Sequence, residues 1–496
     1  MTTTENKAQV LSNFINGEWI ESSATESMRI VNPATQELLG TVPLSSGQDV
    51  AAAVDAASAA FPGWRNTPPP DRIQFLFKLK DLLEMHLEEL ARIITTENGK
   101  TLVESRAELR RGIENVEVAC GIPTLMQGYN LANVAPGIDE IMIRQPLGVV
   151  GIITPFNFPG MIPLWFLPYA IACGNTVVIK PSEKVPRTVL RICELLHETA
   201  LPRGVVNVVL GAKDAVDGLL DHPKIRAISF VGSTPVARYI YGRAAANGKR
   251  VQAQGGAKNF VVIMPDADMD LTSKIVSDGA FGCAGQRCLA ISSTITVGDA
   301  QPKFRDLLVE KVRALNVGNG LDENAQVGPV ITPESKKRIN ELISAGIQGG
   351  AKPLVDGRDL KVRGHENGNF VGPTILEGLS DRSPLNSTEI FGPVLNLGQA
   401  NTLDDAIEAI AANPYGNAAS IFTSSGAAAR KFRSEVTTGN VGVNIGVAAP
   451  MAYFPFSGWK DSFFGILHGQ GRDGVEFYTD QKVVIERWPK EWSRKF

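Results

Sequence analysis

The stretch Val149-Val-Gly-Ile-Ile-Thr-Pro-Phe-Asn157 is a short apolar run that ends in polar residues. Three further β-rich runs follow it, at residues 177–179, 205–210 and 228–231, and segments of helical length separate them. Strands that alternate with helices are typical of βαβ units, which build a parallel sheet with crossover helices. Residues 259–445 repeat this alternation, beginning with a run at 261–264. The sequence therefore predicts an α/β fold with two such sheets.

Polar residues follow three of the four runs, at the points where the strands should end. They are Thr154 to Asn157, the Lys180/Glu183 pair and Gly232-Ser233. Ligands of parallel sheets bind beyond the carboxyl ends of the strands. An ammonium and a carboxylate there can hold ribose hydroxyls, and a helix N-terminus favours a pyrophosphate. Each pair alone is more typical of surface charge or helix capping, but their shared position at strand ends favours a dinucleotide site.

The remaining segments carry simpler signals. Asn16-Gly17 predicts the turn of a hairpin over residues 14–19, and an apolar ending at 483–485 predicts a final strand. Apolar spacing predicts helices at residues 47–61, 71–97 and 106–120, the second capped by Asn98-Gly99. Two motifs are set aside. Gly99-Lys-Thr101 lacks the first glycine of a phosphate loop, and Gly469-Gln-Gly-Arg-Asp-Gly474 follows no clear strand and is interpreted as a loop.

Composition excludes several classes of protein. At 496 residues and 44% hydrophobic content, the chain can form more than one domain. A net charge of −3 with 20% charged residues predicts neither nucleic-acid binding nor a membrane surface. Five scattered cysteines favour a reducing compartment, and with five histidines but no HExxH or CxxC pattern, no metal site is expected. The polar residues 1–7 and the absence of a long apolar run predict neither a signal peptide nor a membrane span, and hence a cytoplasmic protein.

Cys288 is the candidate nucleophile. It lies in Phe281-Gly-Cys-Ala-Gly-Gln-Arg-Cys-Leu-Ala290, beside Arg287 and close to two glycines that let backbone N–H groups approach an oxyanion. The alternative is a buried structural cysteine, which is the commoner role of a free thiol. Asn157 can donate its side-chain amide to the same oxyanion, together with the N–H of Cys288. Its alternative role is that of a turn residue.

Six short motifs occur in one order along nearly the whole chain. They are Thr154-Pro-Phe-Asn-Phe-Pro159, Lys180-Pro-Ser-Glu183, Phe230-Val-Gly-Ser233, Gly285-Gln-Arg-Cys288, Glu389-Ile-Phe-Gly-Pro393 and Pro455-Phe-Ser-Gly458. In sequence and spacing, these motifs resemble those of the aldehyde dehydrogenase superfamily. The resemblance implies a dinucleotide-binding domain (residues 1–124 and 145–254), a catalytic thiol domain (255–445) and oligomerisation strands (125–144 and 466–490), assembled as a homotetramer.

The resemblance also assigns roles to individual residues. Cys288 would be the nucleophile and Asn157 the oxyanion donor. The residues that would bind the cofactor are Thr154, Phe156, Lys180, Glu183, Lys184, Ser233, Gly255 and Glu389. Glu183 would repel a 2′-phosphate and so favours NAD over NADP, although Lys180 and Lys184 oppose this preference.

Gln254 marks a departure from the family pattern. Hydrolytic members carry Glu-Leu-Gly-Gly-Lys, whose glutamate activates water, whereas this chain has Gln254-Gly-Gly-Ala-Lys258. An amide is a poor base, so the thioester should wait for another nucleophile, and the thiol of coenzyme A is suitable. This pattern is similar to the CoA-acylating methylmalonate-semialdehyde dehydrogenase branch. Further support comes from Gly256-Ala-Lys-Asn259, Ser462-Phe-Phe-Gly465, His468 and Gly474-Val-Glu-Phe-Tyr478, whereas Phe260 and Ile466 depart from that branch.

Substrates of that branch carry a carboxylate beside the aldehyde. Arginine binds carboxylates through two parallel hydrogen bonds, so Arg111 and Arg287 are the candidate substrate ligands. A solvated helix charge for Arg111, and support of the thiolate alone for Arg287, are the alternatives. The resemblance implies that malonate or methylmalonate semialdehyde becomes acetyl- or propionyl-CoA with loss of CO2. A hydrolytic aldehyde dehydrogenase and a non-catalytic structural member of the superfamily are the competing hypotheses.

Overall fold

The computed structural model describes residues 10–380 and 382–488. The predicted polar segment 1–7 and the last two residues of the predicted strand segment 466–490 lie outside these ranges. Within the described residues, the α-helices are α1 (Gly47–Asn66), α2 (Pro69–Met85), α3 (Leu87–Asn98), α4 (Leu102–Cys120), α5 (Ile122–Leu125), α6 (Met161–Ala172), α7 (Pro186–Glu198), α8 (Lys213–Asp221), α9 (Thr234–Ala246), α10 (Met269–Phe281), α11 (Gln301–Arg313), α12 (Pro333–Gln348), α13 (Leu403–Ala411), α14 (Gly426–Glu435) and α15 (Gly471–Phe477).

Strands and short 3-10 turns complete the described secondary structure. The strands are β1 (Asn13–Ile15), β2 (Glu18–Ile20), β3 (Ser27–Val31), β4 (Leu38–Pro43), β5 (Tyr129–Ala135), β6 (Ile138–Pro146), β7 (Val149–Ile153), β8 (Thr176–Lys180), β9 (Val206–Val208), β10 (Ile225–Val231), β11 (Arg250–Gln254), β12 (Asn259–Ile263), β13 (Ile291–Val297), β14 (Lys352–Val355), β15 (Thr374–Glu377), β16 (Val394–Ala400), β17 (Tyr415–Gly416), β18 (Ala418–Phe422), β19 (Asn440–Val443), β20 (Trp459–Lys460), β21 (Phe463–Gly465) and β22 (Thr479–Arg487). The 3-10 turns span Gly282–Gly285, Gly298–Ala300 and Pro384–Asn386.

The first sheet has the strand order β2-β1-β9-β8-β7-β10-β11-β21. Its central strands, from β9 to β11, run parallel, and antiparallel strands border them on both sides. From β7 the chain steps to β8 and β9, then returns to the other side of β7 with β10 and β11. The strand order therefore reverses between β7 and β10, and in such sheets the ligand crevice lies at the carboxyl ends of these strands.

Helices cover both faces of this sheet, which explains why β7 and β8 are buried along their whole length. Successive side chains of a strand point to opposite faces. Val150 and Ile152 accordingly pack with α2, α4, α6 and α7, whereas Val149 and Ile153 pack with α1, α8 and α9. The predicted apolar run at 149–153 thus supplies the core on both sides of the sheet.

The second sheet has the order β14-β15-β16-β13-β12-β18-β19 and is parallel except at β14. Val261 and Ile263 of β12 pack against α10, α11 and α12, and Phe260 and Val262 pack against α13 and α14. Two α/β sheets, each covered on both faces, confirm the predicted fold class. The exact division of the chain into cofactor and catalytic domains stays a prediction.

A third, antiparallel sheet has the order β22-β6-β5 and forms the predicted small extension. β22 pairs with β6 over nine positions, from Thr479 opposite Pro146 to Arg487 opposite Ile138. Its large apolar side chains include Tyr129, Leu131 and Ile485, which are exposed. The extension is therefore present, and its role in oligomerisation stays a prediction.

The helix predicted over residues 71–97 is wrong in one respect, because two helices occupy this segment. His86 leaves helical geometry, with φ −100° and ψ 15°, and its ring contacts Glu89 in the first turn of α3 at 2.7 Å. Leu83 and Leu90 pack into the same core on both sides of this residue, so the apolar spacing does not reveal the break. The predicted hairpin of β1 and β2 and the left-handed cap at Gly99 are confirmed.

The loop predicted at residues 469–474 is also wrong, because α15 begins at Gly471. Glycine is a poor helix former, but Val475 and Phe477 are fully buried in the first core, and their packing overrides this propensity. Across residues 10–380 and 382–488, no helix combines the length and the apolar character needed to cross a membrane.

Candidate active site

The carboxyl ends of β7 and β8 meet at Thr154 and Lys180. The N–H of Thr154 donates to the Lys180 carbonyl at 3.1 Å, and Lys180 Nζ donates to the Gly211 carbonyl at 2.9 Å and to Glu183 Oε2 at 3.3 Å. Burial lowers the pKa of Lys180, although Glu183 opposes the shift. Burial acts to raise the pKa of Glu183, but the charges of Lys180 and Lys184 and hydrogen bonds from the Glu183 N–H and Lys180 together outweigh it, and the pKa is lowered. The predicted ribose ligands are thus a contacting ion pair at this edge.

The other predicted cofactor residues lie around the same crevice. Lys184 Nζ lies 5.2 Å from the centre of the Phe156 ring, and Ser233 is the exposed N-cap residue of α9. A Cβ at Gly255 would come within 2.8 Å of the Asp461 carbonyl oxygen, so only glycine fits there. Thr154 Oγ1 is buried and has no hydrogen-bond partner among the described residues. A buried hydroxyl without a partner, beside an ion pair and a helix N-terminus, fits the polar groups of a dinucleotide.

Cys288 lies in the loop between the Gly282–Gly285 turn and β13. Its carbonyl accepts hydrogen bonds from the side-chain amides of Asn259, at 2.8 Å, and Asn417, at 2.7 Å. Cys288 is partly exposed, whereas Cys283 is buried. The two asparagines, one at the start of β12 and one directly before β18, therefore fix the backbone at Cys288.

The Cys288 thiol is held in its protonated form. Burial raises its pKa to about 12, with a further contribution from the Glu389 charge, while the N–H groups of Cys288 and Leu289 and the charge of Arg287 oppose the shift. A thiol with this pKa is a weak nucleophile at neutral pH. Removing the burial of the sulfur or the Glu389 charge would therefore favour the thiolate.

Glu389 contacts the backbone that follows β11. Burial raises the pKa of its carboxyl group to about 7. The N–H of Ala257, which donates to Oε1 at 3.0 Å, and the charges of Arg338 and Lys258 oppose this shift. Burial also lowers the pKa of Lys258 to about 8. A Cβ at Gly256 would collide with the Glu389 carboxylate, so this glycine leaves room for it. Glu389 thus contacts the Ala257 backbone, and its charge adds to the effect of burial on the pKa of the Cys288 thiol.

Asn157 lies next to the loop that contains Gln286 and Cys288. Its Nδ2 donates to the Gln286 carbonyl at 3.0 Å, two residues before Cys288, and Asn157 is almost fully buried. Gln286 is in turn fixed through its Oε1, which accepts from the N–H of Ile331 at 3.1 Å. The structure therefore brings the predicted oxyanion donor and the predicted nucleophile together.

The two predicted substrate arginines are both associated with α4. Arg287 Nη2 lies 3.4 Å from Glu104 Oε1, and Arg111 Nη1 lies 2.7 Å from Glu114 Oε2. Arg111 also donates to the Pro450 carbonyl. Residues seven positions apart lie on one face of a helix, so Glu104 and Arg111 face the same side of α4. A substrate carboxylate would have to compete with Glu104 and Glu114 for these guanidinium groups.

Two residues of α4 that the sequence interpretation missed contact the turn that contains Cys283 and the segment that follows Asn157. Glu104 Oε1 accepts from the N–H of Cys283 at 2.5 Å, and Glu108 Oε1 accepts from the N–H of Gly160 at 2.7 Å. One signal was available, because the apolar residues Leu109 and Ile113 place Glu108 on the buried face of the helix. A carboxylate on such a face needs a buried partner, which the sequence alone does not identify.

Gln254 ends β11 and is buried. Neither its Oε1 nor its Nε2 has a hydrogen-bond partner among the described residues. A Cβ at Gly469 would lie 3.3 Å from Nε2, so the amide points toward the loop that contains His468. Of the two residues that depart from the branch pattern, Phe260 packs between the second sheet and the helices α13 and α14, and Ile466 is exposed.

Comparisons with known proteins agree with this geometry. Residues 19–484 match the aldehyde dehydrogenase family model. A malonate-semialdehyde dehydrogenase of Geobacillus kaustophilus is 50% identical over 97% of this chain and 99% of its own length. A methylmalonate-semialdehyde dehydrogenase from Oceanimonas doudoroffii superimposes with a TM-score of 0.97 at 47% identity, covering 98% of this chain and 100% of that one. A protein of Sinorhizobium meliloti assigned to the same activity, solved with NAD, has a TM-score of 0.97 at 45% identity over 98% and 99% of the two chains.

Proposed function

Because the chain belongs to the aldehyde dehydrogenase family and is an oxidoreductase acting on aldehydes, we propose that it converts malonate or methylmalonate semialdehyde into acetyl- or propionyl-CoA. The names of the similar proteins support these substrates. The observation that carries the CoA-acylating reaction is Gln254, a buried amide where hydrolytic relatives have a carboxylate. An amide accepts no proton from water, so the acyl group leaves Cys288 only when a better nucleophile arrives.

In the first step, the Cys288 thiol loses its proton to water, the thiolate bonds to the aldehyde carbon, and the carbonyl oxygen becomes an oxyanion. Asn157 Nδ2, which lies at the carbonyl of Gln286 two residues before Cys288, and the N–H of Cys288 donate to it. The substrate carboxylate binds Arg111 and Arg287, which holds the carbonyl against the thiol. Collapse of the oxyanion expels a hydride and leaves a thioester on Cys288. NAD, when bound, supplies the acceptor for this hydride.

In the second step, the acyl group loses CO2 and leaves the enzyme. The thioester carries a carboxylate on its α-carbon, and as the bond between them breaks to release CO2, the thioester carbonyl accepts the electron pair. Asn157 and the Cys288 N–H stabilise the resulting enolate, which then takes up a proton. The thiolate of coenzyme A attacks the thioester carbon, the C–S bond to Cys288 breaks, and the Cys288 thiolate is regenerated.

The residues around the crevice fit NAD as the cofactor. Lys180 and Glu183 would hold the adenosine ribose, with Lys184 beside them, and Ser233 at the start of α9 would hold the pyrophosphate. Thr154, Phe156, Gly255 and Glu389 would lie on the nicotinamide side. The lowered pKa of Glu183 keeps it ionised, which disfavours the extra phosphate of NADP.

The exposed apolar side chains of the β22-β6-β5 sheet support a homotetramer, formed as a dimer of dimers. Tyr129 and Ile485 are 70% and 67% exposed in the single chain. A cytoplasmic location is part of the same proposal, since the five cysteines are all free thiols. Light scattering of the purified protein tests the assembly.

The decisive experiment measures NADH formation from malonate semialdehyde and NAD with and without coenzyme A, with the products identified. We expect a single burst without coenzyme A and steady turnover to acetyl-CoA with it. Steady turnover to a free acid without coenzyme A would contradict the interpretation of Gln254. The matched variant Gln254→Glu restores a carboxylate, and we expect it to hydrolyse the thioester without coenzyme A.

A further inference from the structure

Lys100 and Glu108 form a buried ion pair behind the candidate oxyanion donor. Lys100 Nζ lies 2.5 Å from Glu108 Oε2, and their side chains are 1% and 0% exposed. The same ammonium donates to the backbone carbonyl of Asn157 at 2.6 Å and lies 4.0 Å from the centre of the Phe158 ring. One cation therefore contacts Asn157 and its neighbour directly.

Glu108 holds the other end of the same loop. Its second oxygen, Oε1, accepts from the N–H groups of Gly160, at 2.7 Å, and Met161, at 3.1 Å. These N–H groups belong to the start of α6 and have no partner within that helix. The loop from Asn157 to Met161 is thus anchored at both ends by two side chains that contact each other.

Burying a charge pair is costly, and pairs of apolar residues in the same place are often equally stable or more stable. Stability alone therefore gives little reason for an ion pair at this position. Its hydrogen bonds to other residues go to backbone groups of the segment from Asn157 to Met161, and Asn157 Nδ2 donates to the loop of Cys288. We propose that Lys100 and Glu108 are positioning residues, which hold Asn157 where it donates to the oxyanion. This inference rests on the proposed function of Cys288 and Asn157.

The test compares two reactions of the same thiol. Thioester formation, measured as the NADH burst with saturating NAD, develops an oxyanion, whereas alkylation of Cys288 by iodoacetamide does not. For Glu108→Gln we expect a burst about tenfold slower or more, because small displacements of a reacting group cost up to about a hundredfold. The alkylation rate should stay within about twofold of that of the wild type. An unchanged burst, or an equal loss in both reactions, would overturn the proposal.

A double-mutant cycle asks whether Glu108 acts through Asn157. In the Asn157→Ala background, Glu108→Gln should cause no further loss, because the group that it positions is gone. If the two losses multiply, Glu108 acts by another route and the proposal is wrong. The paired replacement of Lys100→Met with Glu108→Leu removes both charges and should fold, since such replacements are commonly tolerated. A wild-type burst in this folded double variant would likewise contradict the proposal.

Glu97→Gln provides a matched control. Glu97 is equally buried and accepts two backbone N–H groups, those of Arg187 and Thr188, both at 3.0 Å, at the start of α7. Its replacement should leave the burst unchanged at saturating NAD, and an equal loss would assign the effect to general loosening of the fold. Propanal serves as a second aldehyde. If the wild-type enzyme oxidises propanal but not malonate semialdehyde, the proposed substrate is wrong. The double-mutant cycle with propanal then still tests whether Glu108 positions Asn157.

Discussion

The two sides of Cys288 differ in how far their polar groups are satisfied. On the side of α4, the carboxylate of Glu104 accepts from the N–H of Cys283, and that of Glu108 accepts from the N–H of Gly160. Lys100 forms an ion pair with Glu108. On the side of Glu389, one N–H within residues 10–380 and 382–488, that of Ala257, donates to the carboxylate, and burial raises the pKa of this carboxyl group to about 7.

This difference indicates a division of labour. The α4 side already has the contacts that chemistry at the thiol requires, so its geometry exists before any ligand binds. The Glu389 side opposes that chemistry, since its charge helps to keep the Cys288 thiol protonated. We infer that one half of the site is built in advance and that the other half is completed by the cofactor, which would take the Glu389 carboxylate as a ribose ligand.

The most severe test removes the group that both sides surround. Cys288→Ala should lower NADH formation by about 10³-fold or more, because the variant lacks the thiol that forms the thioester. Cys283→Ala is the matched control, since Cys283 is a buried thiol in the preceding Gly282–Gly285 turn and its replacement should retain most of the activity. Steady-state NADH absorbance measures both variants. Near wild-type activity in Cys288→Ala would refute the assignment of the nucleophile.

Asn157→Ala removes the oxyanion donor of the α4 side. We expect the NADH burst to slow by about 10²- to 10³-fold, the usual loss for one such donor. Alkylation of Cys288 by iodoacetamide should be nearly unchanged, since it develops no oxyanion. Stopped-flow absorbance and mass spectrometry measure the two rates. Parallel losses in both would mean that Asn157 supports the thiol itself, and the contrast between the two sides would fail.

Local sequence patterns predicted the crevice at the ends of β7 and β8 better than the α4 side, whereas Glu389 followed only from the family resemblance. Thr154 follows β7, Lys180 ends β8 and Ser233 caps α9, so local patterns and parallel-sheet geometry are enough to place them at one edge. The fold class follows from the same alternation of strands and helices. Asn157 and Cys288 could be proposed as partners only because their chemistry is complementary.

The α4 side depends on contacts between distant parts of the chain. Lys100 belongs to Gly99-Lys-Thr101, which lacks the first glycine of a phosphate loop, and its hydrogen-bond partner Asn157 lies 57 positions away. Glu104 contacts Cys283 across 179 positions. The spacing of apolar residues along the chain does not predict such pairs. It also did not predict the break at His86 or the helix that begins at Gly471. Burial of a charged residue on an apolar helix face is the one signal that remains in the sequence.

Arg111→Lys tests whether the α4 side extends to the substrate. Lysine keeps the charge but loses the two-pronged geometry, so kcat/KM for malonate semialdehyde should fall by roughly tenfold. Propanal, which has no carboxylate, should be oxidised as by the wild type. Arg110→Lys is the control, because Arg110 lies next to it on the exposed face, paired with Glu84 and Glu117. Equal losses for both aldehydes would exclude Arg111 as the carboxylate ligand.

Glu389→Gln tests the opposing side and should increase a rate in the enzyme without NAD. Removing the negative charge lowers the pKa of the Cys288 thiol, so the thiolate fraction at pH 8, and with it the alkylation rate, should rise by about threefold to tenfold. Because the pKa of Glu389 is about 7, its carboxyl group is mostly neutral at pH 6, where wild type and variant should react alike. The exposed Glu341→Gln on α12 should show no such effect. Equal alkylation rates for Glu389→Gln and wild type at pH 8 would mean that burial alone holds the thiol protonated, and that the cofactor activates Cys288 without displacing the charge of Glu389.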